Sequence, residues 1–296
     1  MTRAPFAYYG GKYYMLPHIL PLLPPHDIWV EAFCGSAVAT LAKDRSPCEV
    51  INDRDEGVAG FYRVLRDPER ARELRALLDL TPYSRAEYLA CRRTWMTCDN
   101  PVERARRWYV VARQSFAGKI GWGGWAYSIS SCRAMAEASS KWLGAIDGLP
   151  SIHARLQGVQ IECQDWRRLL DFWDRPNVLL YADPPYVWST RRGGRGYTHE
   201  LTDGDHAELV ARLLAFRGQV LVSGYACPIY EPLERAGWHR RDILTSAHAA
   251  GRTAASGLRG AGVAKRLQPR VETLWWNYDQ AALRGRRTLF DAGVAG

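Results

Sequence analysis

No apolar run in this chain of 296 residues approaches the roughly 20 needed to cross a bilayer, so no membrane partner is expected. The opening stretch, MTRAPFAYYGGK, has no apolar signal core. The seven cysteines are scattered, odd in number and without a CxxC pair, which speaks for reduced thiols in a cytosolic protein and against a zinc site. The seven histidines show no metal-ligand spacing, and no metal is expected. Gly10-Gly11-Lys12 lacks the GxxxxGK[ST] spacing of a phosphate-binding P-loop and reads as a tight bend presenting a cation. Acid is in deficit: 31 Asp and Glu stand against 40 Lys and Arg, a formal net charge of +9. That excess favours a polyanionic partner, nucleic acid first.

What the chain does have centres on Asp183-Pro184-Pro185-Tyr186. The tetrad ends an apolar run, 177–182, that reads as a buried parallel strand. Two prolines cannot continue a ladder, so the chain must leave the sheet there. A carboxylate, a stiff turn with free carbonyls and an aromatic ring then emerge at the strand's C-terminal end, the edge where open α/β sheets bind ligands. Such a set suits a flat, amino-bearing ring: Asp183 and the Pro184 carbonyl accept from an NH2 group, and Tyr186 stacks on the ring. A proline-rich turn after a core strand would give the same letters.

Other pieces fall at other strand ends. Residues 28–36 read as strand then glycine turn, with Gly35 letting the backbone approach a ligand at the start of the helix over 37–42. A second strand over 48–52 ends in Asn52-Asp53-Arg54-Asp55. Asp53, about 18 residues after Gly35, is placed to bind ribose hydroxyls, or one of Asp53 and Asp55 caps the helix starting near Glu56. A third strand, 158–163, is followed by Asp165-Trp166 and a helix over 166–174. Thr202 or Asp203 caps a helix running to about Phe216. A strand over 219–224, a helix over 229–236 and two last strands, 239–244 and 271–277, complete the pattern.

Between the second and third strands, 65–156 changes character: charged helical stretches lead to an irregular or hairpin element rich in glycine and tryptophan. Arg113 and Lys119 stand there beside Trp122, and basic groups interleaved with aromatics suit phosphate and base contacts. After the tetrad, Arg191, Arg192 and Arg195 are further phosphate-contact candidates. The stretch 246–270 carries Arg252, Arg259, Lys265 and Arg266 and no acid, and is expected to be mobile without DNA.

Taken together, Tyr8-Tyr9-Gly10-Gly11-Lys12, Phe33-Cys34-Gly35-Ser36, Asn52-Asp53, Asp183-Pro184-Pro185-Tyr186 and the late strand 272–278 resemble the S-adenosylmethionine-dependent DNA adenine N6-methyltransferases of the Dam-like family, in the family's order and over nearly the whole chain. The resemblance implies an α/β fold: a Rossmann-like class I methyltransferase with a seven-stranded mixed sheet whose last strand is antiparallel, plus an inserted, mostly helical DNA-recognition domain. On that scheme 1–64 and 157–296 form the catalytic domain and 65–156 the target-recognition insert. Tyr8, Lys12, Phe33, Gly35, Ser36, Asp53, Asp165, Trp166 and Asp183 would hold S-adenosylmethionine. Asp183, Pro184, Pro185 and Tyr186 would hold an adenine flipped out of double-stranded DNA, which cannot be reached inside the duplex. Localisation would be cytoplasmic, in a bacterium or phage, with a restriction-modification role among the settings, and the protein would act as a monomer. Two positions depart from the family: Ala37 replaces a usual second glycine, and NDRD stands where NDxN is common. Transfer to cytosine N4, to RNA or to a protein amide are rival activities, and a DNA-binding module on a degenerate methyltransferase fold is the non-enzymatic one. The tail, 286–291, faintly resembles a sliding-clamp-binding peptide without its leading glutamine.

Overall fold

Short apolar runs bounded by turn residues become strands, in chain order β1 (Ile28–Glu31), β2 (Cys48–Asn52), the small pair β3 (Ser131–Cys132) and β4 (Met135–Ala136), β5 (Val159–Glu162), β6 (Val178–Ala182), β7 (Gln219–Gly224), β8 (His239–Ser246) and β9 (Pro269–Trp276). The helices are α1 (Leu16–Ile19), α2 (Val38–Ala42), α3 (Glu56–Arg66), α4 (Pro68–Asp79), α5 (Arg85–Thr94), α6 (Pro101–Gln114), α7 (Glu137–Leu156), α8 (Trp166–Trp173), α9 (Asp203–Ala215) and α10 (Glu231–Arg235). The structure, a computed structural model, describes residues 4–120, 123–191, 197–246 and 269–279. Trp122, Arg192, Arg195, Arg252, Arg259, Lys265, Arg266 and the tail 286–291 lie outside the described residues.

One sheet of seven strands runs in the order β5-β2-β1-β6-β7-β9-β8. Its first five members pair in parallel, and β9 is antiparallel to both β7 and β8. This is the seven-stranded mixed sheet that the sequence resemblance implied. The chain winds outward in opposite directions from the neighbours β1 and β6, which leaves a crevice beyond their carboxyl ends. Glu31 at the end of β1 pairs in register with Tyr181 of β6. The glycine turn after β1 and the Asp183 tetrad after β6 therefore open side by side.

Every residue of β6 is buried, as a strand covered on both faces requires. On one face Trp166, Leu169, Leu180, Leu209, Val220 and Trp275 pack together. On another, Ile51, Val58 and Phe61 join Leu74, Tyr88, Trp108, Tyr109 and Trp142. Helix starts are fixed locally: the side chains of Asp55, Asp67, Ser84, Asn100, Asp165 and Thr202 accept from backbone N–H groups of the first turn. Each such cap contributes about 1 kcal/mol.

Residues 65–156 are mostly helical, with the β3–β4 hairpin before α7. Among the described residues α4 to α7 pack into the same cluster as α3, which spans Glu56–Arg66. Tyr109 of α6 stacks on Phe61 of α3 at 4.9 Å and gives its hydroxyl to the Pro5 carbonyl at 2.8 Å. Phe6 lies edge-on to Trp108 at 4.9 Å. These contacts pin the chain just before Tyr8 and so fix where the Tyr8–Lys12 bend enters the crevice.

Candidate active site

Gly35 turns the chain out of β1 with φ 46°, and a Cβ there would meet the Tyr8 ring at 2.6 Å. Glycine is the residue that permits both the left-handed backbone and this approach. The Gly35 N–H donates to Asp53 Oδ2 at 2.9 Å, and Asp53 Oδ1 accepts from the Asp55 N–H at 2.9 Å. Asp55 in turn accepts from Gly57 and caps α3. The two roles open for this acid pair are thus divided: Asp55 is the cap, and Asp53 faces the crevice. Asn52 ties three strand ends together, giving its amide to the carbonyls of Ala32 and Gln164 and accepting from the Gln164 N–H.

The Tyr8–Lys12 bend closes through Gly11 N–H to the Tyr8 carbonyl at 2.9 Å. It delivers Lys12, only 5% exposed, against the tetrad. Lys12 Nζ donates to the Gly10 carbonyl at 2.7 Å, lies 3.0 Å from Asp183 Oδ1 and 3.8 Å from Glu272 Oε2, and sits 4.6 Å from the centre of the Tyr186 ring. The Asp183 contact is an ion pair outside hydrogen-bond alignment. Tyr186 gives its hydroxyl to Glu272 Oε2 at 3.1 Å, and its ring meets that of Tyr225 at 4.5 Å, near edge-to-face.

The crevice is rich in buried acid. Burial pushes the Glu31 carboxyl up to about 8, although Thr40 hydrogen-bonds it through both N–H and hydroxyl. Asp53 is pushed up to about 7, first by burial and then by the charge of Asp55. Asp183 rises to about 6 because burial outweighs the pull of Lys12. Burial draws the Lys12 ammonium down, but the charges of Asp183 and Glu272 prevail and hold it above the ordinary lysine value. Buried carboxyls raised in this way regain their charge most readily beside a cation, so the crevice suits a cationic ligand.

Tyr8, Lys12, Phe33, Gly35, Ser36, Asp53, Trp166, Asp183 and Pro185 line this one crevice. Asp165 is not in the lining; it caps α8 and pairs with Arg54 at 3.2 Å. Tyr186 stands behind Lys12, 6% exposed. Lys119 lies over the Tyr9 ring at 5.5 Å, which brings the segment after α6 to the rim of the crevice. Arg113 donates to the Lys141 carbonyl. The Arg191 side chain is 5% exposed, paired with Glu200 and set against the Trp188 and Tyr197 rings at 5.0 and 5.5 Å.

Sequence reasoning missed Glu31, Glu272 and Tyr197. Glu31 had a signal, a lone acid ending the apolar run Ile28–Val30. Glu272 is the one acid in its strand, but nothing local says that β9 inserts between β7 and β8 and turns that side chain toward Lys12. Tyr197 reaches the crevice from the far loop and packs on Tyr9 at 5.2 Å, with its hydroxyl so near Gly10 that a Cβ there would lie 2.3 Å from it.

All seven cysteines are free thiols. Among the described residues no helix is long and apolar enough to cross a membrane, and no cluster of His, Cys, Asp and Glu could hold a metal ion. The family model for D12 class N6 adenine-specific DNA methyltransferases matches residues 8–246, from the tyrosine-glycine bend to the end of β8. Comparison with curated proteins gives no match.

Proposed function

The chain belongs to the D12 class of N6 adenine-specific DNA methyltransferases, and on that premise we propose that it modifies a specific site in double-stranded DNA, acting on an adenine flipped out of the helix into the crevice beside Asp183. The observation that carries this reading is the position of Asp183, which opens the tetrad at the switch point of the sheet and lines the same crevice as the glycine turn after β1.

S-adenosylmethionine, the methyl donor of the family, supplies a methyl group already activated on a sulfonium. The residues present fit it: Glu31, Asp53 and Asp183 are acids held in a buried crevice, and the donor carries positive charge on sulfur and on its α-ammonium. Tyr8, Lys12, Phe33, Gly35, Ser36, Asp53, Trp166 and Asp183 would hold it. Gly35 keeps the wall open, and Asp53, already fixed by two backbone N–H groups, is aimed for hydroxyl contacts.

The difficulty lies with the acceptor. The adenine amino nitrogen is a poor nucleophile because its lone pair is delocalised into the ring. Asp183 and the Pro184 carbonyl each accept one N6 hydrogen, which holds the nitrogen with its lone pair turned toward the incoming methyl. Positioning and fixed dipoles then carry most of the rate. The rigid prolines keep both acceptors at one spacing.

Residues 65–156 would read the target sequence. Two features support this: Lys119 reaches the crevice rim, and the β3–β4 hairpin projects exposed residues beside Ile129, itself 88% exposed. Modified-base sequencing of DNA from cells expressing the protein tests product and site together. N6-methyladenine confined to one short sequence is the expected outcome. Methylation scattered without sequence preference would overturn the site-specific reading.

A further inference from the structure

The Lys12 ammonium has two carboxylates and one carbonyl around it. Its aligned hydrogen bond goes to the Gly10 carbonyl at 2.7 Å, which leaves the rest of the head shared between Asp183 at 3.0 Å and Glu272 at 3.8 Å. Asp183 Oδ1 has no hydrogen bond of good geometry, so the nearer pair is electrostatic contact without a directional lock. Glu272 Oε2 accepts the Tyr186 hydroxyl at 3.1 Å, and the same hydroxyl also favours the ionised form of Asp183, so it stands between the two carboxylates. Gly10 itself is held from outside by Tyr197.

This geometry creates a conflict for the reaction. If Asp183 accepts an N6 hydrogen, the cation beside its oxygen opposes that bond: it withdraws acceptor strength and repels the positive end of the incoming N–H. Lys12 cannot simply withdraw, since a buried ammonium without an anionic partner is strongly disfavoured. Resting on the reading of Asp183 as the acceptor, we propose that Glu272 is a positioning residue that offers the Lys12 ammonium a second seat, so that the lysine swings from Asp183 to Glu272 as the target amino group docks. The Gly10 hydrogen bond serves as the pivot. No proton moves and no net charge changes: one ammonium exchanges one carboxylate for the other, and the amino hydrogen takes the vacated place. The Tyr186 hydroxyl keeps the second seat still, which links the ring behind Lys12 to the charge in front of it.

The test is Glu272→Gln, which keeps the shape and an acceptor for the Tyr186 hydroxyl and removes the charge. Single-turnover methylation is measured at saturating S-adenosylmethionine and duplex DNA across pH, beside wild type. The plateau rate should fall about tenfold or more with little change in the binding of either substrate. The acid limb should move to lower pH, because Asp183 loses a negative neighbour and keeps Lys12. The charged and titratable groups around Asp183 are Lys12, Glu272, Glu31 and the tyrosines Tyr181, Tyr186, Tyr197 and Tyr230, and of these Glu272 alone changes. An unchanged plateau would overturn the second seat, and so would a lowered plateau that Glu272→Asp does not partly restore, since the shorter acid returns the charge and the loss would then be one of shape. An unmoved limb would overturn the placement of Glu272 as the charged neighbour of Asp183. If the glutamine variant does not melt cooperatively, Glu272→Asp is read alone: it draws the charge back from Lys12 and should lower the plateau with the limb nearly unmoved, and an unchanged plateau there overturns the second seat. Asp183→Ala, run in parallel, removes the acceptor and separates the premises. Retained activity there defeats the acceptor reading itself, whereas an inactive Asp183→Ala with a silent Glu272→Gln defeats only the lysine swing.

Discussion

Gly35 donates its backbone N–H to Asp53 Oδ2 at 2.9 Å, joining the turn after the first strand to the end of the second. The bond spans 18 residues and fixes the distance between two walls of the crevice. Tyr8 fills the space above Gly35 that a side chain would take. Three sequence motifs that are separately ordinary thus hold one another in place, and each fails if its neighbour moves.

Replacement at this corner should separate sharply by position. Gly35→Ala puts a methyl 2.6 Å from the Tyr8 ring at φ 46° and should abolish cofactor binding and lower the melting temperature. Ala37, which stands where the family usually has a second glycine, already has φ 49°. Its strain is roughly 1–2 kcal/mol. Ala37→Gly relieves that strain but loses a buried methyl worth about 0.8 kcal/mol and frees the unfolded chain by about 0.4–1 kcal/mol. Its stability should therefore lie within about 1 kcal/mol of the parent. Denaturant unfolding of both variants is the measurement.

Asp183→Ala should abolish methyl transfer while cofactor-free folding persists. If Asp183 accepts one N6 hydrogen, its ionised carboxylate is the stronger acceptor. With its carboxyl pushed up to about 6 by burial, the rate should fall as pH drops through that value. An Asp183→Ala variant within about tenfold of the parent would refute the assignment.

Glu31 and Asp53 connect cofactor binding to proton release. Both hold protons in the folded chain at pH values where the unfolded chain has lost them. Their contribution to stability is full below the ordinary values of 4.5 and 3.8, and is lost as pH rises through about 8 for Glu31 and about 7 for Asp53. A cationic ligand favours the ionised acids, so S-adenosylmethionine should bind more tightly from about pH 6 to about pH 7.5 and release protons on binding. Calorimetry in buffers of different ionisation enthalpy reads this directly. Lys12→Ala and Asp53→Ala should weaken that binding more than they weaken DNA binding.

Single alanine replacements of Arg113 and Lys119 should divide into two behaviours. A phosphate contact weakens all sequences alike and reduces the salt slope, while a base contact relaxes one position of the target at about 1–3 kcal/mol. Lys119, over Tyr9 at the crevice rim, is the better candidate for a contact near the flipped base. If no replacement within 65–156 alters affinity or specificity, recognition lies elsewhere in the chain.

The tetrad, the glycine turn and the acids after β2 could be read before folding because each is a local statement: prolines end a strand, glycine opens a turn, an acid follows at fixed spacing. Parallel strands with helices between them also leave a local signature, so the five parallel strands needed only their own letters, and the last two were legible as strands though their order in the sheet was not. Glu272 and Tyr197 were hidden for the opposite reason. Their roles depend on an antiparallel insertion of β9 and on a return loop, and no periodicity encodes which side chains those bring to Lys12 or Gly10. Arg191 shows the same limit. Its charge suggests a phosphate contact, while its place against Trp188 and Tyr197 and its pair with Glu200 show a guanidinium already engaged in holding the loop.

Tyr186 tests both its ring and its hydroxyl. One face of the ring lies under the Lys12 ammonium at 4.6 Å, an edge-to-face contact with Tyr225 restricts it further and the residue is only 6% exposed, so stacking of a flipped adenine on it requires one of these neighbours to move aside. Stacking of that kind is worth roughly 1–3 kcal/mol per base. A stacking role alone would leave the hydroxyl dispensable, but it donates to Glu272, and a hydrogen bond to a charged group contributes about 1.5–3 kcal/mol when made. Tyr186→Phe should therefore remain active but fall about tenfold, with Glu272 less firmly held. Tyr186→Trp keeps a π-face at the cost of crowding and should be weaker still. Tyr186→Ala loses both parts and should drop by about two orders of magnitude or more. Binding to duplexes with 2-aminopurine at the target position, paired and mismatched, should raise fluorescence in wild type and in Tyr186→Phe, with tighter binding to the mismatch because less unpairing is required. A silent probe in wild type, together with a Tyr186→Phe rate equal to the parent, would remove both the stacking role and the hydroxyl tether.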